Sequence, residues 1–186
     1  MAGDARDRMV AGAVRLLAKR GLQATSFSEV LAATGAPRGS IYHHFPQGKD
    51  QMVAAALELA RMHAHAAMES TRGRPAVEVL ARFLVLWRQV LTASELSSGC
   101  AVVAVTVATD SEALLDQTSA IFRGWRAQLT DLLTAGGLDA DDAAGFAALM
   151  LAATEGAVVL TRAERSMAPF DLVADQLTDQ LVGLAG

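Results

Sequence analysis

A chain of 186 residues that is 52% apolar and 19% charged is long enough for one or two domains and too rich in buriable side chains for disorder. Alanine fills 38 positions, aromatic residues make up 5%, and asparagine is absent, a composition that favours helices over sheets. The net charge of −4 is uneven: residues 1–50 sum to +3 and residues 51–186 to −7, so a polyanion suits the head and not the body.

The first predicted helix runs from about residue 4 to 20, with Met9, Val10, Ala13, Leu16 and Leu17 at helical spacing. Lys19 and Arg20 complement its dipole and Gly21 ends it. Ser26-Phe27-Ser28-Glu29 reads as a capping box opening a second helix, which stops at Thr34-Gly35. Pro37 suits the first position of a third, short helix over Arg38–Phe45, because its missing N–H costs nothing there. Two short helices thus flank a tight turn at Gly35.

A long helix over about 49–70 follows, then the punctuation Thr71-Arg72-Gly73-Arg74-Pro75. Further helices are expected at about 75–92, 98–108, 111–135, 140–163 and 169–184, with Asp110 or Ser111 and Asp139 as N-caps. The segment from Val102 to Thr109 is β-branched and has strand propensity. A lone strand would leave its ladder unpaired, so a buried helix is the better reading.

The single cysteine, Cys100, excludes an intramolecular disulfide framework. The N-terminal MAGDARDR lacks the apolar stretch of a secretory signal. Gly99–Ala108 is too short to span a bilayer. Ala143–Ala163 is long enough but carries Glu155 and Arg162, and an intramembrane charge costs about 2.5–3.5 kcal/mol on insertion scales. A soluble cytoplasmic protein with no membrane partner is expected.

The chemistry concentrates in Thr25–Lys49. In a helix-turn-helix the second helix enters the major groove while the first crosses the backbone. Thr25 and Ser26 stand at a helix N-terminus, where exposed N–H groups attract phosphate. Arg38 can fork onto guanine O6 and N7, and Gly39 lets the backbone approach closely. Ser40 and Tyr42 offer hydroxyls to phosphates, His43 reaches a base edge or phosphate, and Lys49 meets another phosphate. Ile41 and Phe45 read as core of the head.

The run Thr25-Ser-Phe-Ser-Glu-Val-Leu-Ala-Ala-Thr-Gly-Ala-Pro-Arg-Gly-Ser-Ile-Tyr-His-His-Phe45 resembles the N-terminal signature of the tetracycline-repressor-like (TetR) family. The resemblance covers about residues 5–55, with the Gly35 turn, Gly39-Ser40, Tyr42 and Phe45 in register. Gly48 before Lys49, and the Gly99-Cys100 entry to an apolar segment, are similar to the LmrA/YxaF-like subgroup. One departure is Pro37, where many members carry a polar residue, which puts one phosphate contact in doubt.

The resemblance implies an all-α fold: a three-helix DNA-binding head containing the helix-turn-helix, here residues 1–48, and a larger ligand-binding and dimerisation body, here 49–186. It implies a homodimer formed through the last two long helices (about 140–163 and 169–184). The expected activity is repression, with a near-palindromic double-stranded operator released when a small-molecule effector, of unknown identity, binds. Candidates for the effector cavity are Phe83, Trp87, Cys100, Phe122, Trp125 and Met150, each of which also suits plain core. Glu155, in an almost apolar helix, can serve a ligand amine, pair with an arginine or face solvent near the dimer seam.

No enzyme, metal or cofactor is expected. Nucleophile, zinc and P-loop motifs are missing, and His63 and His65 project about 200° apart on a helix, which does not suit chelation of one ion. The rival reading is a helical small-molecule or partner-binding module that has lost DNA binding.

Overall fold

The computed structural model describes residues 2–185, with side chains over 5–184. Among the described residues there are nine helices and no strand: α1 (Ala2–Arg20), α2 (Phe27–Thr34), α3 (Arg38–His44), α4 (Lys49–Glu69), α5 (Ala76–Ala93), α6 (Ala101–Thr106), α7 (Glu112–Ala135), α8 (Ala140–Glu164) and α9 (Ala168–Ala185). They fall into two compact units, Met1–His63 with Cys100–Ile121 and Ala64–Gly99 with Phe122–Gly186.

In the first unit α1 packs against α2, α3 and α6. Its 3.6-residue stripe buries Met9, Ala13, Leu16 and Leu17, and Val30, Ile41, Phe45, Met52 and Val53 join them in the core. Gly12 marks a close approach of α1 to α2: a Cβ there would lie 2.5 Å from the Thr34 methyl. Thr34 cannot yield easily, because its hydroxyl donates to Val30 O at 2.7 Å.

Several local expectations are refined. Pro37 is the N-cap of α3 (φ −62°, ψ 137°), not its first helical residue, and it supplies no side-chain cap. The capping box is half formed. Glu29 N–H donates to Ser26 Oγ at 3.2 Å, but the Glu29 carboxylate pairs with Arg20 at 2.7 Å instead of reaching back. The β-branched run is helical, though shorter than expected, because Val102 and Val105 are fully buried and no strand stands among the described residues to pair with it.

In the second unit α8 and α9 pack together, and α9 also rests on α5. Arg88 of α5 pairs with Asp171 at 2.6 Å and lies over the Phe170 ring. Asp139 caps α8 by accepting from Asp141 N–H at 3.0 Å. Helix α8 is long and apolar enough to cross a membrane, but 44% of that window is buried inside the protein, through Phe146, Met150, Leu151 and Val158 among others. Thr106, Thr130 and Thr178 follow the usual habit of helical threonines and donate to the carbonyl four residues back. Thr154 and Thr161, both buried, have hydroxyls without a partner among the described residues.

Candidate nucleic-acid interface

The turn between α2 and α3 depends on Gly35, whose φ of +66° lies in the left-handed region and whose N–H closes α2 on Leu31 O at 2.9 Å. Ala36 is buried, and α3 then starts at Arg38. Helix α3 has two faces. Ile41 and Phe45 are 0% and 1% exposed and seat the helix on the core, while Arg38, Gly39, Tyr42 and His43 point outward.

Tyr42 is 67% exposed, an unusual position for a large ring. It is held there by Phe27, which meets it edge to face at 5.5 Å and also stacks at 6.3 Å with Phe45. Between α2 and α3 runs an open groove of about 440 Å³, lined by Phe27, Ser28, Leu31, Ala32, Ala36, Arg38 and Tyr42. The lining combines apolar side chains with a guanidinium and two hydroxyls, a combination suited to a sugar–phosphate strand or a base edge.

The other predicted contacts sit less freely. Thr25 is buried, its hydroxyl donates to Gly21 O at 2.8 Å, and its N–H donates to Leu22 O at 3.2 Å. Ser26 Oγ takes the Glu29 N–H and shares a hydrogen with Ser28 Oγ at 2.8 Å. Ser40 Oγ is buried, without a partner among the described residues. Lys49 Nζ donates one hydrogen to Leu22 O at 2.8 Å, which anchors the start of α4 to the α1–α2 turn and leaves two hydrogens for an anion. A Cβ added at Gly39 would meet open space, so the backbone there is approachable.

Sequence reasoning missed two residues here. Phe27 positions Tyr42, and Ser28 places a second exposed hydroxyl on the groove. An aromatic residue opening α2 one turn-helix away from another aromatic was the available signal for the first.

Of the cavity candidates, Phe122 and Trp125 come together on α7, edge to face at 5.5 Å. Phe83 lines a narrow crevice with Met68, Leu86 and Leu129. Trp87 and Glu155 are half-buried, Met150 is fully buried, and Cys100, at the N-cap of α6, belongs to the first unit while the other six belong to the second. No group of three or more His, Cys, Asp or Glu residues suited to a metal occurs among the described residues.

Residues 9–56 match the family model described as bacterial regulatory proteins, tetR family, and residues 76–176 match that of the transcriptional regulator LmrA/YxaF-like C-terminal domain. An uncharacterised HTH-type transcriptional regulator of Mycobacterium tuberculosis is 34% identical over 184 residues, covering 95% of this chain and 94% of its own. The HTH-type transcriptional regulator LmrA of Bacillus subtilis is 26% identical, covering 96% and 97%. Among solved structures, a TetR transcriptional regulator from Chloroflexus aurantiacus superposes with a TM-score of 0.77 at 26% identity, covering 97% and 96%. The regulatory protein TetR from Rhodobacter sphaeroides reaches 0.85 at 18% identity, covering 94% and 97%.

Proposed function

Because the chain belongs to the TetR family of DNA-binding transcriptional regulators and carries its LmrA/YxaF-like C-terminal domain, we propose that it is a repressor that grips a near-palindromic operator as a homodimer and lets go when a small molecule binds. The observation that carries the DNA contact is the division of α3: Ile41 and Phe45 inward, Arg38, Gly39, Tyr42 and His43 outward.

In this reading Arg38 reads a base edge, Tyr42 and Lys49 hold phosphates, Gly39 gives the backbone access, and His43 contacts the duplex beside them. Ser40 joins after its hydroxyl rotates outward. Thr25 and Ser26 act at the α2 entry, Thr25 by bracing the turn from beneath, since its hydroxyl and N–H are already engaged. Residues 1–48 act as the DNA-binding domain and 49–186 as the ligand-binding and dimerisation domain, in the cytoplasm and without catalysis.

Support for the dimer comes from α8 and α9. On α8, Leu149, Val159 and Leu160 are 38%, 57% and 50% exposed, with the small Ala152 and Gly156 spaced between them. On α9, Leu172 and Val182 are similarly uncovered. An apolar stripe at helical spacing on two neighbouring helices suits a self-complementary two-fold interface.

A mobility-shift assay with the DNA upstream of the protein's own gene tests the reading, followed by selection of bound sequences from a random pool. A shifted band and a two-fold symmetric consensus are expected. Absence of binding in both assays would leave a helical ligand-binding module.

A further inference from the structure

In the second unit, Trp125 Nε1 and Gln128 Oε1 are buried without a hydrogen-bond partner among the described residues. Buried polar groups are partnered in the great majority of proteins, because removing water from them and returning nothing is costly. The two residues stand three apart on α7, so their side chains leave the helix on one face. Their exposures are 7% and 8%.

Their chemistry is complementary. The indole N–H only donates, and an amide oxygen only accepts. The orientation of the Gln128 amide is fixed by its surroundings: Nε2 donates to His65 O at 3.1 Å and to Glu69 Oε2 at 3.0 Å. Turned over, the amide would set its oxygen against a carbonyl and a carboxylate, so the atom left open is the acceptor. Glu69 is anionic throughout the physiological range, because hydrogen bonds from Arg72 and then from Gln128 hold its carboxyl down at about 2. An aromatic neighbour stands beside them: Phe122 lies edge to face with Trp125.

We propose that Trp125 and Gln128 are the polar anchor of the effector site, and that the effector is a small, uncharged, largely apolar molecule bearing a hydroxyl group. The hydroxyl oxygen accepts from Trp125 and its hydrogen goes to Gln128 Oε1. A carboxylate would have no hydrogen for Gln128 and would bring a second negative charge towards Glu69. An ammonium would have no lone pair for the indole. The same amide that receives the ligand holds the last turn of α4, so occupancy is felt there. The proposal rests on the reading that a small molecule releases the operator.

The test uses the intact protein, labelled with ¹⁵N, and three probes that share one ring: p-cresol (donor and acceptor), 4-methylanisole (acceptor only) and p-xylene (neither). The chain has two tryptophans, so two indole signals are observed, assigned with Trp87→Phe. p-Cresol should move the Trp125 signal and bind about tenfold or more tightly than p-xylene, with 4-methylanisole between them. In Trp125→Phe, and separately in Gln128→Met, that preference should fall to about threefold or less. Equal binding of the three probes, no binding of any up to its solubility limit, or an unmoved Trp125 signal would overturn the proposal. Operator release is followed in parallel. Release with an unmoved Trp125 signal sinks the anchor and spares the repressor reading. A shifted Trp125 signal with the operator still bound supports the anchor and sinks ligand release.

Discussion

At the scale of single residues, Arg38 and Lys49 offer contrasting outcomes. Arg38 stands exposed on the groove and is free to reach a base edge, so Arg38→Ala should cost about 1–3 kcal/mol at one operator position and relax the preference there. Competition binding with single-base operator variants measures this. Lys49 offers charge rather than readout, so Lys49→Ala should weaken all sequences alike and flatten the slope of log affinity against log salt by about 1. That substitution also removes the Leu22 O bond, so the melting temperature of the variant belongs beside its binding curve. Both residues stand out in the sequence by type and spacing, and Arg38 is exposed as that reading expects. The bond of the Thr25 hydroxyl to Gly21 O and the burial of the Ser40 hydroxyl were not legible there. Whether a hydroxyl points to solvent or to a carbonyl one turn back depends on a rotamer, which composition does not encode.

At the scale of elements, helix existence followed from periodicity, and the exceptions have identifiable causes. The Val102–Thr109 run carries strand propensity, yet Val102 and Val105 face a helical core and take its geometry, with Thr106 bonding back to Val102 O at 2.8 Å. Glu29 has two suitors, the Ser26 N–H and Arg20, and the charged one wins. In α8, Thr154 is 1% exposed with an idle hydroxyl, so Thr154→Val should raise stability by about 1 kcal/mol, read as a higher urea midpoint with an unchanged slope. The link between α4 and α7 has its own pH signature. Glu69 titrates below its unfolded value, so its contribution is complete above the ordinary carboxylate range and disappears as pH falls through about 2. In Glu69→Gln, stability should therefore change less steeply between pH 5 and 2 than in the wild type, as followed by acid titration of the melting temperature.

At the scale of the whole molecule, the sequence carries a division of charge: a basic first quarter and an acidic remainder. Family resemblance points to the last two helices as a dimer seam, and the proposal of such a seam draws on the exposure of Val159 and Leu160. Val159→Glu with Leu160→Glu should yield a monomer by light scattering. Operator affinity should fall by about a hundredfold or more, because each head would then bind a half-site without the other's effective concentration. The internal hydrogen bonds of the body, such as Gln128 to His65 O, were invisible in the sequence, since they join residues 63 positions apart with no local pattern.

The continuity of α4 carries a mechanical consequence. Its 21 residues contain neither glycine nor proline, and at 1.5 Å per residue they make a rod of about 30 Å with no built-in place to kink. One tip is tethered by Lys49 to the Leu22 carbonyl and the other by Glu69 to Arg72 and Gln128. Bending α4 anywhere between those tips would mean breaking the backbone hydrogen bonds of an uninterrupted helix, and that is where the cost of deforming it lies.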